Sequence, residues 1–356
     1  MIINNGFKFS NIVGDCYLEN NTLICKSNQM VRIYDFVTEN RVLLDALAVN
    51  AKRNEDIVQF TQKYGPLVKW SLSVTPEDND DESLFQIGKE YTIDEFKKNY
   101  YGRFDIKLFE CHFMRLQELV NLISAYKQKK YANMLCSCLS LLLNPPAKKI
   151  EKYNRNATTD FNEHFGLAIS DLSPDYTLVD IVKFFIKRRT KYYDESWELE
   201  NSFFIDLISN TCTVCQDNSI SLEKIIETKD AATIAPLVEN SPALISAIQL
   251  CSDIIISDEI NFVVCDVKPY FRVLSDGTFK GDWIIPDLLN ALYMDIFLKN
   301  ASSVLLKKCE NPTCGEYFET TLENTTKKYC STRCAQLMAK RKQREREKSN
   351  IIKPSP

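Results

Sequence analysis

A mainly α fold with a minor β component, class α+β, is what the sequence predicts, and three observations predict it. Long stretches repeat apolar residues at three- and four-residue spacing, the mark of helices buried on one face. Only a few short runs alternate as strands do. Near the C-terminus four cysteines stand as two close pairs, a pattern that folds a small unit around a metal instead of a large core. The expected organisation is a large, mostly helical domain over residues 1–304 with a sub-boundary near 144–160. A treble-clef-like or knuckle-type four-cysteine zinc finger with a basic helix follows over 305–348, and 349–356 form a disordered tail.

Taken in order, residues 14–36 mix apolar and polar positions irregularly, and a small hairpin turning at Ser27-Asn28-Gln29 is expected there. Val42, Leu43, Ala46, Leu47, Ile57 and Val58 carry helical spacing, which Gly65-Pro66 should end. The acidic stretch 76–83 resembles a calcium loop only superficially. Its sixth position is Ser83 where glycine is needed, so it reads as a solvated loop. The clearest helix covers 106–127, where Phe109, Phe113, Leu116, Val120 and Ile123 make one stripe. Further helices are expected at 131–143, 178–189 and 242–250, with Asn144-Pro145-Pro146 as a break. Residues 262–267 and 270–274 read as strands, with Asp276-Gly277 as a turn. A last long helix is expected over 286–306, with Leu288, Leu289, Leu292, Ile296 and Phe297 inward.

Charged residues are 26% and hydrophobic residues 45% of the 356, ordinary globular values that exclude a disordered, collagen-like or coiled-coil chain. The net charge is −4, which on its own disfavours nucleic acid. Its distribution does not. Residues 301–356 hold twelve Lys and Arg against six Asp and Glu, a net +6, which leaves −10 on the first 300. No apolar run approaches the roughly 18 residues of a membrane span. The opening Met1-Ile2-Ile3-Asn4-Asn5-Gly6 lacks a signal peptide's basic and apolar regions, so a cytoplasmic location is expected. In a reducing compartment most of the 13 cysteines stay thiols, and a spaced cluster reads as a metal site before a disulfide.

That cluster is Cys309-x4-Cys314, fifteen residues, then Cys330-x3-Cys334. Four thiolates in two close pairs can wrap one tetrahedral Zn²⁺. A closed shell of four sulfurs leaves no position for substrate, so the zinc should be structural, one ion per chain. Metal binding would supply folding free energy that so small a segment lacks. Gly315 allows a positive φ in the first knuckle, and Phe318 and Tyr329 offer a miniature core. Ser331 is a good N-cap, which places Cys334 in the first helical turn with Leu337 and Met338 packing beneath. The helix then turns basic. Arg333, Lys340, Arg344 and Lys348 fall on one side with Arg341 nearby, though Glu347 intrudes, and Lys327 and Lys328 of the preceding loop extend that face, making these seven the candidate nucleic-acid contacts.

The string CENPTCGEYF, then KKYCSTRC, then KRKQR resembles the C-terminal CGNR-type zinc finger of bacterial transcription regulators whose larger N-terminal region is called the ABATE domain. The likeness covers about residues 290–348. It implies Cys309, Cys314, Cys330 and Cys334 as ligands and a DNA-binding, regulatory role. In this chain the last two cysteines are separated by three residues instead of four, and Ala335-Gln336-Leu337 stands where the family has Gly-Asn-Arg.

Three functional readings follow. In the first, the helical domain senses or oligomerises and the zinc-pinned basic helix binds nucleic acid, DNA before RNA. In the second, the finger docks an acidic protein partner, this chain's own N-terminal domain included. The third is an enzyme with an unrecognised site, in which Cys212 and Cys215 would act; with two histidines, nine glycines and no phosphate-loop or nucleophile-elbow motif, it has little to build on. Cys136 and Cys138 read as core, His112 as a packed or rim residue, and Glu163-His164 as no metalloprotease motif.

Overall fold

The computed structural model describes residues 8–36, 41–68, 101–143, 198–218, 225, 228–273, 277–302 and 304–351. They form α-helices with small sheets of two or three strands, a mainly α, α+β architecture. The expected acidic loop 76–83, the break at 144–146, the helix 178–189, and His164 lie outside the described residues.

Strands β1 (Lys8–Glu19) and β2 (Thr22–Asp35) form a long antiparallel hairpin, and β3 (Tyr101–Asp105) pairs with β2 to make the sheet β1-β2-β3. Its turn is at Asn20-Asn21, with φ of 48° and 63°, not at Ser27-Asn28-Gln29. Asparagine tolerates the left-handed region that a tight hairpin turn needs. The Ser27-Asn28-Gln29 stretch lies within β2, where register shifts between Val13, opposite Met30, and Gly14, opposite Ser27, so turn-forming residues mark a bulge instead of a chain reversal.

The first helical segment divides into α1 (Arg41–Ala48) and α2 (Asn54–Tyr64), and α2 ends at Gly65, φ 85°. Asn11 of β1 donates from Nδ2 to the carbonyls of Tyr64 and Pro66, at 2.9 and 3.1 Å, tying that end to the sheet. The helix α3 (Ile106–Lys127) matches its sequence expectation. Asp105 caps it by accepting from the Lys107 amide at 2.9 Å, and its apolar stripe is buried. After α4 (Tyr131–Leu143) come α5 (Glu198–Asp217), α6 (Ala231–Glu239) and α7 (Pro242–Val264). Because α7 runs on to Val264, residues 262–267 are not a strand; the β4–β5 hairpin, Lys268–Val273 with Phe279–Ile284, begins just beyond.

Helix α8 (Leu288–Ala301) is capped by Asp287, which accepts from the Asn290 amide at 2.8 Å. It stops short of the expected 306, since Val304–Lys308 forms strand β6. Leu288, Leu289, Leu292 and Ile296 are buried as expected, whereas Phe297 is 45% exposed. Pairing β6 with β7 (Tyr317–Thr321) puts the chain into the C-terminal unit, which ends in α9 (Thr332–Ile351).

Two large apolar cores result. One joins the β1–β3 sheet to α1, α2, much of α3, the end of α7, and α8. The other joins the end of α3 to α4, α5, α6 and the first half of α7. Helices α3 and α7 span both and are clamped together by a buried ion pair, Arg115 Nε to Glu259 Oε1 at 2.8 Å, with a second bond between Nη2 and Oε2. Tyr293 of α8 donates to Glu259 at 3.0 Å, and Arg115 also donates to the Leu141 carbonyl at 3.1 Å.

Candidate metal centre and basic helix

Four cysteines converge because a hairpin and a helix N-terminus face each other. Cys309 follows β6 directly, and its amide donates to the Glu316 carbonyl at 2.8 Å, closing a knuckle. The Cys314 amide reaches the Asn311 carbonyl at 2.9 Å within it. Gly315 takes φ 71° with room for a side chain beside it, so the backbone conformation alone demands glycine. On the other side the Ser331 hydroxyl accepts from the Cys334 amide at 3.3 Å, the expected N-cap, and sets Cys330 and Cys334 one turn apart.

The four Sγ atoms lie within 4.8 Å of one another, with Cys314–Cys330 at 3.5 Å and Cys330–Cys334 at 3.7 Å. A regular tetrahedron with Zn–S near 2.3 Å has sulfur atoms about 3.8 Å apart, so the donor set and its spacing fit zinc. Further hydrogen bonds point at the sulfurs. The Cys330 amide donates to Cys309 Sγ and Asn311 Nδ2 to Cys334 Sγ, both at 3.4 Å. Asn311, then Ser331, draws the metal-free Cys334 thiol down to about 6, while burial pushes Cys314 up to about 12. The charge of a bound dication favours the thiolate at all four positions.

Cys309, Phe318 and Cys334 are buried together, with Tyr329 packed against them, as the small core the sequence suggests. Leu337 does not pack beneath the metal site; it is 49% exposed. Sequence reading missed Lys307. Buried at 6% exposure, its ammonium donates to the carbonyls of Thr325 and Lys327, both at 2.8 Å, and so holds the loop between the cysteine pairs onto β6. Nothing in a lone lysine two residues before a cysteine signals that role. Asn311 carried a weak signal, because an Asn before Pro312 favours a turn, and its Oδ1 does accept from the Thr313 amide at 3.3 Å.

The hairpin also faces the body. Leu306 and Tyr317 belong to the first apolar core. The Tyr317 hydroxyl donates to Asn121 at 3.2 Å, and Lys127 to the Val304 carbonyl at 3.1 Å. Lys299 stands between Asp295 of its own helix, at 2.5 Å, and Glu319 of β7, at 3.5 Å.

The basic residues lie in the loop before α9 and along that helix. From Ala339 to Glu347 every residue of α9 is exposed, including Lys340, Arg341 and Arg344, and Arg333 is exposed near its start. Lys348 lies in the same helix. Arg341 pairs with Glu345 at 3.5 Å and Lys328 with Glu310 at 3.4 Å, both in solvent. Lys327 sits 5.0 Å above the Phe318 ring.

Elsewhere, Cys212 and Cys215 lie one turn apart on α5, buried in the second core with Cys251. Burial pushes Cys212 up to about 12, away from a reactive thiolate, and Cys265 is exposed. Among the described residues, only the four finger cysteines form a metal-binding cluster of three or more side chains. Cys136, Cys138 and His112 are buried.

Residues 306–347 match the family model of the CGNR zinc finger, so this chain carries that module, a zinc-binding one, at the position of its four clustered cysteines. No match was found among curated proteins or among solved structures. Among the described residues no helix is long and apolar enough to cross a membrane.

Proposed function

We propose that this protein binds nucleic acid through its zinc-pinned C-terminal helix, DNA before RNA, in a regulatory role suited to a bacterial transcription factor. The observation that carries the reading is the second half of α9, a run of exposed residues in which Lys340, Arg341, Lys342, Arg344 and Arg346 stand against Glu345 and Glu347. A free α-helix is about 10–12 Å across and can lie along a groove where its cations neutralise phosphates and release counterions. The zinc does no chemistry. It fixes where the helix begins, so Arg333, Lys327 and Lys328 stay on the same small unit as the helical cations. The acidic body, net −10 over the first 300 residues, keeps the remaining surface from competing for phosphate.

The test is binding of the full-length, zinc-loaded chain to labelled duplex DNA, beside an Arg341→Glu/Arg344→Glu variant. The reading expects at least a tenfold loss in the variant with zinc content unchanged. Equal binding by both proteins refutes it. A second reading, that the finger docks an acidic protein partner, draws on the same charges. It gains support if the variant loses a protein partner while DNA binding is absent in both forms.

A further inference from the structure

Away from the zinc site, two other cysteines face each other. Cys16 of β1 and Cys25 of β2 are directly opposite in the hairpin register, and their sulfurs are 2.8 Å apart. Both are free thiols, 3% and 0% exposed, within the first apolar core beside Leu23 and Phe104. The Cα positions of directly opposed strand residues are about 4.5–5.5 Å apart, inside the range a disulfide spans, and an S–S bond of about 2.05 Å is a small movement away. The partners are held there by the ladder on both sides and, for Cys25, by a second pairing to Gly102 of β3. The hydrogen bond from Cys16, then burial, holds the Cys25 thiol far above its usual range, which slows its reaction with an oxidant.

We infer that Cys16 and Cys25 are a redox-modification site, a dithiol that closes to a disulfide within the β1–β2 hairpin when it meets a hydroperoxide. The first sulfur attacks the peroxide's outer oxygen, giving a sulfenic acid and releasing an alcohol, or water from hydrogen peroxide. The second sulfur then displaces the sulfenic oxygen as water. Two thiols lose two electrons and two protons, and the O–O bond takes them. Since β1 is an edge strand, local opening of that edge admits the oxidant, and closure is slower than oxidation of an exposed thiol. The bond would staple the sheet that covers α1, α2 and α3.

The experiment uses the full-length, zinc-loaded protein, incubated with hydrogen peroxide, alkylated in denaturant and cleaved with trypsin without reduction. No Lys or Arg lies between Lys8 and Lys26, so both cysteines fall in one peptide. The inference expects that peptide two hydrogens lighter than the dithiol and unalkylated, with both labels restored by prior reduction. The Cys16→Ser and Cys25→Ala variants should each keep one alkylated cysteine there, and only the wild type should gain resistance to urea on oxidation. Two alkylated cysteines in the peroxide-treated wild type, a sulfinic acid at either, or linkage to a different cysteine would overturn it.

Discussion

At the scale of single residues, the zinc site rests on contacts of two kinds. The ligands were legible, because Cys309, Cys314, Cys330 and Cys334 are spaced as one small unit must space them, and Ser331 announces the helix start that carries the last. The supports were not. Lys307 and Asn311 act through bonds to carbonyls and sulfur that only the folded loop brings near. Full-length protein should hold one zinc per chain, and Cys330→Ser should hold none; elemental analysis after desalting checks it, and zinc retained by the variant would remove Cys330 from the shell. In the body, Glu259 meets both Arg115 and Tyr293 in a site closed to water. Glu259→Gln leaves the guanidinium without its counter-charge and should cost about 3–5 kcal/mol in urea unfolding. Replacing Arg115 and Glu259 together by apolar residues should cost less than either single change.

At the scale of elements, legibility followed how local the cause was. Helix α3 could be bounded correctly because its stripe and its cap, Asp105, lie in the segment itself. The end of α8 could not, because Val304-Leu305-Leu306 continues the apolar run. What makes those residues a strand is pairing with Tyr317–Thr321 and docking on α3 and α8. The same logic explains the hairpin turn placed too late in the chain: both sites offer asparagine, and only strand register decides between them. One junction between elements carries a pH signature. Burial raises Asp295 to about 6 from 3.8 despite Lys299 beside it, with Glu319 nearby. A carboxyl held more tightly protonated in the fold contributes stability that is full below its unfolded value and is lost as pH rises through about 6. Asp295→Asn removes that dependence, so its stability relative to wild type should rise between about pH 3.5 and 6.5, by up to about 3 kcal/mol, and level off above. A constant difference across that range would show that Asp295 titrates normally.

For the whole molecule, the mild net charge of −4 conceals an acidic body and a basic foot, joined by a β6–β7 hairpin that belongs to the first large core and to the small core of the finger. The cysteine spacing led to the four-sulfur cluster, and the charge distribution led to the helix. The way the finger is seated was hidden, because Leu306 and Tyr317 look like ordinary strand residues until α3 and α8 are packed against them. That seating means that the foot's orientation follows the body's, and the exposed part of α9 is where the charge meets solvent. The most direct test of its role is the salt dependence of duplex DNA affinity, measured on the full chain and on a chain ending at Met338, which keeps all four cysteines. The full chain should bind and weaken steeply between about 50 and 200 mM salt, with a log–log slope on the order of −3.5 to −5.5 for about four to six neutralised phosphates, and the shortened chain should lose most of both affinity and slope. Affinity that is flat with salt, or unchanged when the helix is cut, would contradict a nucleic-acid role for the basic helix.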